Sequence, residues 1–190
     1  YKPGSIQSRI SNAKNHLVMP DAYASNPQIV KADADAKVPA THDIYRRYWE
    51  RCRQSDAMDF DDLLVYTYIL FRDRPDIREK YARQFRYVLV DEYQDTNFAQ
   101  HSIVLQLTEE NQRVCVVGDD DQSIYGWRGA DLRNILEFEK DYGGCPVIKL
   151  EQNYRSTANI LDAANQVIAH NTGRKEKALW TQTDGGDKIK

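Results

Sequence analysis

The segment FRYVLVDEYQDT at residues 85–96 ends an apolar run in two adjacent carboxylates, Asp91 and Glu92. The run is short and partly β-branched, and polar residues follow it, which predicts a buried strand that leads into a loop. Open α/β sheets bind their ligands at this carboxyl end of the strands. In nucleotide hydrolases, one acid at this position holds magnesium and the other orients the attacking water. The acidic pair is therefore a candidate site of nucleotide hydrolysis.

A structural explanation of the same acidic segment stays open. Asp95, Thr96 and Asn97 could cap a following helix. Side-chain oxygens at a helix start accept hydrogen bonds from free backbone amides, and the helix dipole favours negative charge there. On this alternative, the acidic residues serve the helix start and take no part in catalysis.

A second apolar run, VCVVG at 114–118, leads directly into the polar segment GDDDQSIYGWRGAD at 118–131. Gly118 allows a sharp turn of the backbone. Gln122 has a neutral side chain that both donates and accepts hydrogen bonds. This property suits a residue that detects whether a terminal phosphate is present beside Asp91 and Glu92.

Two aromatic residues and a cation follow in the same loop, namely Tyr125, Trp127 and Arg128, with glycines at 126 and 129. Aromatic rings in a flexible loop can stack on unpaired bases, and arginine adds a cation–π contribution. The alternative is that both aromatics pack in the core beneath the loop. Their closeness to Gln122 favours single-stranded nucleic acid as the ligand.

A third apolar run, PVIKLE at 146–151, predicts another strand, and LEQNYRST at 150–157 follows from it. Arg155 could neutralise charge on a transferring phosphate, which is worth several orders of magnitude in rate in phosphoryl transfer. Tyr154 could stack on a nucleotide base. A surface arginine paired with an acid is the alternative for Arg155.

The elements that must position these residues alternate from residue 86 onward. The pattern predicts strands at 86–91, 113–118 and 146–151, with helices at 98–109, 131–141 and 157–170. Strands separated by helices of this length predict βαβ units and a parallel sheet.

The N-terminal part has a helical and irregular character. Apolar spacing predicts helices at 4–17, 41–54, 59–72 and 75–83. The proline-containing stretch 18–40 predicts a loop with at most one turn of helix. The helix at 41–54, with Thr41 as its predicted N-cap, carries an arginine-rich side made up of Arg46, Arg47, Arg51 and Arg53. Such a run is usually a solvated face, and a phosphate-contacting surface is the alternative.

Composition limits the classes of function. The chain has 190 residues, 41% hydrophobic and 29% charged, which suits one globular domain or a domain with pieces of others. Its net charge of −3 means that any contact with nucleic acid must be local. No segment has the length of a membrane span, so we expect no membrane partner. The chain starts at Tyr1 without a methionine, which indicates a piece of a longer protein.

Cysteines and histidines offer no metal centre. Cys52, Cys115 and Cys145 are widely spaced and odd in number, which indicates a reducing, cytoplasmic compartment, and Cys115 is predicted to pack as a small hydrophobe. The histidines have no metal-ligand spacing, and no serine lies in a nucleophile-elbow pattern.

The polar segments together resemble superfamily 1 DNA helicases of the UvrD/Rep/PcrA type, the PcrA members most of all. The matching motifs are DEYQDT at 91–96 (Walker B), GDDDQSIYGWRGAD at 118–131 (motif III) and LEQNYRST at 150–157 (motif IV). Three further segments are similar to parts of the family fold: SRISNAKNHLV at 8–18, DFDDLL at 59–64 and HNTGRKEKALWT at 170–181. The resemblance covers nearly all of the chain in collinear order.

The resemblance implies an α/β fold, namely part of a RecA-like P-loop NTPase motor domain, with a parallel sheet and flanking helices, plus part of an inserted all-helical subdomain. The implied boundaries place the inserted subdomain (1B-like) at 1–58, the C-terminal part of the first motor domain (1A-like) at 59–152 and the start of the second motor domain (2A-like) at 153–190.

The resemblance also implies residue roles. Asp91 would hold Mg²⁺ and Glu92 would activate the attacking water. The other implied ATP contacts are Gln122 and Arg155 at the γ-phosphate and Tyr154 on the adenine, and the implied contacts to single-stranded DNA are Trp127, Tyr125 and Arg128.

The implied function is an ATP-dependent DNA helicase and translocase that couples ATP hydrolysis, with Mg²⁺, to movement along single-stranded DNA and 3′→5′ unwinding of duplex DNA. Repair or replication proteins would be further partners. Two alternatives stay open: a non-catalytic DNA- or protein-binding module that uses the helix at 41–54, and the motor part of a helicase–nuclease subunit. No G-x-x-x-x-G-K-[ST] phosphate loop occurs in the sequence, so we expect this piece alone to be inactive.

Overall fold

The structure begins with six helices, and two short parallel strands with their connecting helix follow. It is a computed structural model that describes residues 1–188; the last two residues of the predicted segment 153–190 lie outside the described part. The helices are α1 (Pro3–Asn15), α2 (Pro20–Ser25), α3 (Pro27–Asp35), α4 (Thr41–Gln54), α5 (Phe60–Asp73), α6 (Pro75–Gln84), α7 (Phe98–Thr108), α8 (Arg133–Leu136), α9 (Phe138–Asp141) and α10 (Ala158–Ile168). The strands are β1 (Val88–Val90) and β2 (Val114–Val116), and 3-10 turns lie at Tyr93–Asp95, Asp120–Gln122 and Gly126–Arg128.

The N-terminal helices share a small hydrophobic core. Ile6, Ile10 and Ala13 recur at helical spacing on α1, and they pack against Tyr23 of α2 and Tyr45 of α4. The two tyrosine rings meet edge to face with their centroids 5.7 Å apart. The helices within residues 1–54 therefore form one layer that packs around its own buried core.

Most of the stretch 18–40 is helical, so the predicted loop is wrong. Pro20 and Pro27 occupy the first turns of α2 and α3. Proline fits there because its ring fixes a helical φ and the first turn has no partner for the missing N–H. The Asn26 side chain accepts hydrogen bonds from the amides of residues 28 and 29 and caps α3. These prolines start helices instead of breaking them.

The predicted helix at 41–54 is confirmed, but its predicted cap is wrong. Ala40 is the N-cap residue, and Thr41 is the first helical residue, with its hydroxyl donating to the Val38 carbonyl at 2.6 Å. Tyr45 is fully buried on the core side. The arginines on this helix are all exposed: Arg46, Arg47, Arg51 and Arg53.

A buried lysine joins the helical layer to α5. The Lys14 ammonium lies 2.7 Å from carboxylate oxygens of both Asp59 and Asp62. It also lies 5.0 Å and 5.5 Å from the ring centroids of Tyr48 and Trp49. Asp59 and Asp62 form the capping box at the start of α5. A charge that is fully buried needs such partners, since an unpaired one would be strongly destabilising.

The predicted parallel pairing is confirmed for the first two strands. β1 and β2 pair in parallel with Val88 opposite Val114 and Val90 opposite Val116, and α7 connects them. The buried character predicted for β1 is wrong, because Leu89 is 76% exposed, and Cys115 beside it is exposed as well. Side chains alternate along a strand, and in the described residues only the valine side of this pair is covered.

The predicted third strand at 146–151 is wrong. In the described residues this segment forms no strand, and the nearest pairing is an isolated parallel bridge between Gln152, one residue beyond it, and Trp180. Ile148 and Leu150 are both exposed, so no layer covers the apolar run. The predicted helix at 131–141 is divided into α8 and α9, with a break at residue 137. The fold is therefore mixed, mainly helical, with a two-stranded parallel sheet in the described part.

Within residues 1–188, no helix combines the length and the apolar character that a bilayer span requires.

Candidate nucleotide and nucleic-acid site

The candidate acids stand at the carboxyl end of β1, as the sequence predicted. Asp91 and Glu92 are both exposed, and one Asp91 carboxylate oxygen accepts the Glu92 amide at 2.9 Å. Glu92 adopts a left-handed backbone conformation with φ 50° and ψ 43°. This conformation costs a non-glycine residue roughly 1–3 kcal/mol and persists where the surrounding structure enforces it. Such strain is concentrated at functional sites.

The hydrogen bonds show which residue of the acidic segment caps the following helix. Asn97 is the N-cap of α7: its side chain accepts the amide of Gln100, whose side chain accepts the Asn97 amide in return. Asp91 and Glu92 lie before the intervening 3-10 turn and take no part in this cap. The cap and the acidic pair are therefore separate features of one segment.

A buried glutamine connects Glu92 to the loop after β2. Gln94 is 1% exposed. Its Nε2 donates to the Glu92 carboxylate at 2.8 Å, and its Oε1 accepts the Asp119 amide at 3.0 Å. Gln122 donates from Nε2 to the Asp119 carboxylate at 2.7 Å. The structure thus brings Glu92 and Gln122 to one place, which we call the acidic edge (residues 91–95 and 118–123).

Gly118 is required by this close approach. A Cβ atom at residue 118 would lie 2.5 Å from Gln94 Oε1 and 2.7 Å from Ile135 Cδ1. Both distances are shorter than van der Waals contact, so a side chain here would displace Gln94 or α8. The sequence predicted that Gly118 allows a turn; in the structure, its missing side chain mainly leaves room for the Gln94 amide.

A second layer of amides lies behind the acidic edge. Asn134 of α8 donates to the carbonyls of Thr96 and Asn97 at 3.0 and 3.2 Å. Asn97 in turn donates to Asn15 at the end of α1 at 3.0 Å. The sequence analysis missed Gln94, Asn15 and Asn134, because single neutral amides produce no periodic pattern and no charge signal.

The aromatic loop is presented to solvent. Trp127 is 75% exposed, and Tyr125 is also exposed, which contradicts the core-packing alternative. The Arg128 guanidinium lies 4.5 Å from the Trp127 ring centroid and 5.2 Å from that of Tyr125. The arginine holds both rings in one cluster through cation–π contacts. The cluster starts three residues beyond Gln122 and offers faces on which bases could stack.

Cations from residues 174–177 form ion pairs with Asp119, Asp120 and Asp121 of the acidic edge. The Lys177 ammonium lies 2.6–2.9 Å from carboxylate oxygens of Asp119, Asp120 and Asp121, and Arg174 makes two 2.7 Å bonds to Asp121. Arg174 holds the pKa of Asp121 below its ordinary value. Burial alone would raise the pKa of Asp119, but its bonds to Lys177 and Gln122 outweigh this effect and lower it.

These ion pairs decide between two interpretations of the aspartate cluster. The three carboxylates have oxygens within 4.8 Å of one another, a grouping that could hold a metal ion. Lys177 and Arg174 already neutralise most of their charge, so the cluster is an ion-pair contact between distant segments of the chain. Asp91 fits a magnesium ion better: it is exposed, offers hard carboxylate oxygens and has no cation beside it in the described residues.

Tyr154 and Arg155 are not at a sheet edge. Tyr154 is 83% exposed, with its hydroxyl donating to Gln152 at 2.8 Å. The amide of Arg155 donates to the Asn153 side chain, and its guanidinium has no hydrogen-bond partner in the part of the chain that the structure describes. The prediction that a strand end delivers these two residues is wrong. The surface ion pair that was the alternative for Arg155 is also not found among the described residues.

Comparison with known proteins gives matches over the whole chain. The UvrD/REP helicase N-terminal domain matches residues 1–143, and the UvrD-like helicase C-terminal domain matches residues 148–190. The ion pairs between Asp119–Asp121 and Arg174–Lys177 therefore join segments that match two different domains.

Several individual proteins are similar to the chain over its whole length. The chain is 50% identical over 189 residues to the ATP-dependent DNA helicases PcrA of Leuconostoc citreum and Bacillus subtilis, and 49% identical to that of Staphylococcus epidermidis. Each alignment covers 100% of this chain and 24% or 25% of the relative. The chain spans about a quarter of the length of the curated relatives it matches. These matches confirm the family resemblance that the motifs indicated.

Proposed function

The chain belongs to the UvrD/REP helicase family, and we propose that the whole protein is an ATP-dependent DNA helicase and translocase. One observation carries this proposal within the structure. Three consecutive hydrogen bonds link the candidate base Glu92, through Gln94 and Asp119, to the candidate phosphate sensor Gln122. The exposed aromatic cluster begins three residues beyond that sensor. The phosphate sensor Gln122 and the contact to single-stranded DNA would thus lie in the same loop.

The acidic edge supplies the groups that hydrolysis requires. Asp91 would bind the Mg²⁺ that accompanies ATP, and this ion would neutralise charge on the phosphates. The Glu92 carboxylate, exposed and held by Gln94, would accept a proton from the attacking water. Gln122 would exchange its bond to Asp119 for one to the γ-phosphate.

Residues of the C-terminal segment complete the proposed nucleotide site. Arg155 has a free guanidinium within the described residues and would stabilise charge on the transferring phosphate. Tyr154, exposed two residues after the bridge at Gln152, would stack on the adenine. We propose that both reach the acidic edge when ATP brings the two domains together.

Single-stranded DNA would stack on the aromatic cluster of Tyr125, Trp127 and Arg128. The 3-10 turn Gly126–Arg128 begins after three residues that follow the turn Asp120–Gln122. A shift of Gln122 between Asp119 and a phosphate would therefore be transmitted to the strand contact over a few residues. Two nucleotide states with different strand affinities are what translocation requires.

The domain boundaries and the motor fold are part of the same proposal. We place the inserted helical subdomain at 1–58, part of a RecA-like motor domain at 59–152 and the start of a second motor domain at 153–190. The buried core of α1, α2 and α4 supports the first unit, and the parallel pair β1–β2 supports the second. The phosphate loop that binds the triphosphate would come from the rest of the protein. We further propose action in DNA repair or replication in the cytoplasm.

A nucleic-acid contact by α4 is a second candidate function. Its four arginines are exposed, and only Arg46 has an acidic partner in the described residues, at 3.4 Å from Asp21. Such a face could contact phosphates without any catalysis. An α4 contact would explain DNA binding of a chain that does not hydrolyse ATP.

The test uses the full-length protein with ATP and Mg²⁺. We expect hydrolysis that single-stranded DNA stimulates and unwinding of a duplex with a 3′ single-stranded tail, but not of one with a 5′ tail. Residues 1–190 alone should hydrolyse no ATP. Degradation of the DNA would favour the helicase–nuclease alternative. DNA binding without any DNA-stimulated hydrolysis would overturn the motor and favour the α4 contact.

A further inference from the structure

We propose that Gln94 is a positioning residue of the hydrolytic site: its buried amide fixes the Glu92 carboxylate and fastens it to the loop that carries Gln122. This inference rests on the proposed ATP hydrolysis at the acidic edge. Gln94 itself does not face the solvent-exposed side where a nucleotide would bind, since it is 1% exposed, whereas Asp91, Glu92 and Gln122 are exposed.

The orientation of the Gln94 amide follows from its partners. The Asp119 backbone N–H can only donate, so the atom that it contacts must be the amide oxygen. The other end of the amide is then the NH₂ group, which donates to the Glu92 carboxylate at 2.8 Å. A carboxylate only accepts, so both contacts agree on one orientation. Each end of the amide is matched to its partner, and a rotated amide would lose both bonds.

Packing prevents the amide from moving away. Gln94 Oε1 lies only 2.5 Å from the position that a Cβ of residue 118 would occupy. The amide therefore fills the space that Gly118 leaves. Gln94 is the middle residue of the 3-10 turn Tyr93–Asp95, and Tyr93 beside it is fully buried. The turn is bound to the sheet by the Tyr93 amide, which donates to the Val117 carbonyl at 3.0 Å. The donor to Glu92 is therefore held by a rigid element.

Glu92, by contrast, depends on this donor. It is exposed, it lies in the left-handed conformation, and among the described residues its carboxylate has no other hydrogen-bond partner than Gln94. A base must be placed within hydrogen-bond reach of the attacking water, and a displacement of about 1 Å can cost about 10²-fold in rate. Loss of the Gln94 donor should therefore lower the rate of the chemical step and leave nucleotide affinity unchanged.

Two substitutions separate this role from a general packing role. Gln94→Glu keeps an oxygen that can accept the Asp119 amide, and it replaces the donor to Glu92 by a carboxylate oxygen that repels the Glu92 carboxylate. Gln94→Met keeps the length of the side chain and removes both hydrogen bonds. Gln100→Met is the matched control, because Gln100 is an exposed glutamine of the same segment whose bonds serve only the cap of α7.

The experiment measures DNA-stimulated ATP hydrolysis of the full-length protein. For Gln94→Glu and Gln94→Met we expect kcat to fall about 10²-fold with the KM for ATP within about threefold of wild type. Gln100→Met should keep the wild-type kcat. In the background of Glu92→Gln, the substitution Gln94→Met should cause no further loss, because a residue that acts through Glu92 has nothing left to position.

Wild-type kcat in Gln94→Glu, or an additional loss on top of Glu92→Gln, would overturn the positioning role. An equal loss in Gln100→Met would do the same, since it would show a general effect of the segment. If the Gln94 variants turn over normally while Glu92→Gln is inactive, this inference fails and the proposed function stands. If wild-type protein shows no DNA-stimulated hydrolysis, both fail.

Discussion

The acidic edge and the segment 153–157 were both predicted as strand ends that deliver phosphate chemistry, and the structure organises only the first. At the acidic edge, Gln94 is buried and makes hydrogen bonds to two segments of the chain. In the segment 153–157, the Asn153 amide donates to the Trp180 carbonyl at 2.7 Å, but its side chain accepts only the amides of residues 155 and 156, and Tyr154 is 83% exposed. Similar sequence patterns therefore lead to very different degrees of preorganisation.

The difference shows what makes a strand end into a site. β1 has a paired neighbour and a layer of buried amides behind it, so its terminal residues have fixed partners. The run at 146–151 has no neighbouring strand in the described residues, and its apolar side chains are exposed. Its backbone pairing in the described residues is limited to the bridge with Trp180, which fixes the following residues less firmly than a paired strand does. In the proposed pocket, the acidic edge would be the rigid part, and the segment 153–157 would join it only when the two domains come together.

The largest expected effect concerns Arg155 in the exposed segment 153–157. Arg155→Ala should lower DNA-stimulated ATP turnover of the full-length protein by about 10³- to 10⁵-fold, the usual worth of an arginine on a transferring phosphate. Its melting temperature should not change, because the guanidinium has no partner in the described structure. Arg72→Ala is the matched control, since this exposed arginine only pairs with Asp73. Wild-type turnover in Arg155→Ala would remove the residue from the site.

The next largest effect concerns the packing of the acidic edge around Gly118. Gly118→Ala should lower the free energy of unfolding by about 1–3 kcal/mol, because its Cβ collides with Gln94 and Ile135. Gly126→Ala is the control, since a Cβ there meets nothing within 4 Å. Denaturant unfolding of both variants measures the difference. Equal stability of the two variants would show that the acidic edge is not tightly packed.

A similar magnitude is expected for strand binding. Trp127→Ala should weaken the affinity for single-stranded DNA by about 1–3 kcal/mol, the usual worth of one stacked base. The fold should remain intact, because the ring is 75% exposed. Fluorescence anisotropy with a labelled oligonucleotide measures the affinity, and Tyr87→Ala, another exposed aromatic, serves as the control. Unchanged affinity would assign the strand contact elsewhere.

The smallest effect concerns pH and the layer beneath the acidic edge. The His101 ring accepts or donates a 2.7 Å bond with the Tyr93 hydroxyl, and burial lowers the pKa of His101 below its ordinary value, although Asp141 opposes this. The unfolded chain therefore takes up the proton at higher pH than the folded one. Stability should be full above the ordinary histidine pKa of about 6.5 and should decline as the pH falls below it.

Denaturant unfolding at pH 7.5 and at pH values below 6 measures this decline, and His101→Phe should reduce it. A stability that is constant over this range, or that rises on acidification, would contradict the assignment of a neutral buried imidazole.

The sequence predicted the parts of the site that depend on local chemistry. The candidates Asp91, Glu92 and Gln122 could be proposed because polar segments follow the apolar runs, and the parallel pair β1–β2 followed from the helix between them. Motif resemblance indicated the family, which the domain matches confirm. Local pattern and motif order were sufficient for these conclusions.

The remaining features depend on tertiary contacts that a linear pattern does not contain. The run at 146–151 has strand-like residues, but a strand also needs a partner. Prolines at 20 and 27 mark helix starts or loops equally well until the capping partners are known. The role of Gln94 depends on a carboxylate two residues before it and on an amide 25 residues after it.

The most direct test of the account is the substitution Glu92→Gln in the full-length protein. It removes the proton acceptor and keeps the size of the side chain, so DNA-stimulated ATP hydrolysis should fall by about 10²- to 10⁴-fold. Binding of ATP, measured by equilibrium titration with a fluorescent analogue, should stay at the wild-type level. Wild-type turnover in this variant would contradict the assignment of the acidic edge as the site of hydrolysis.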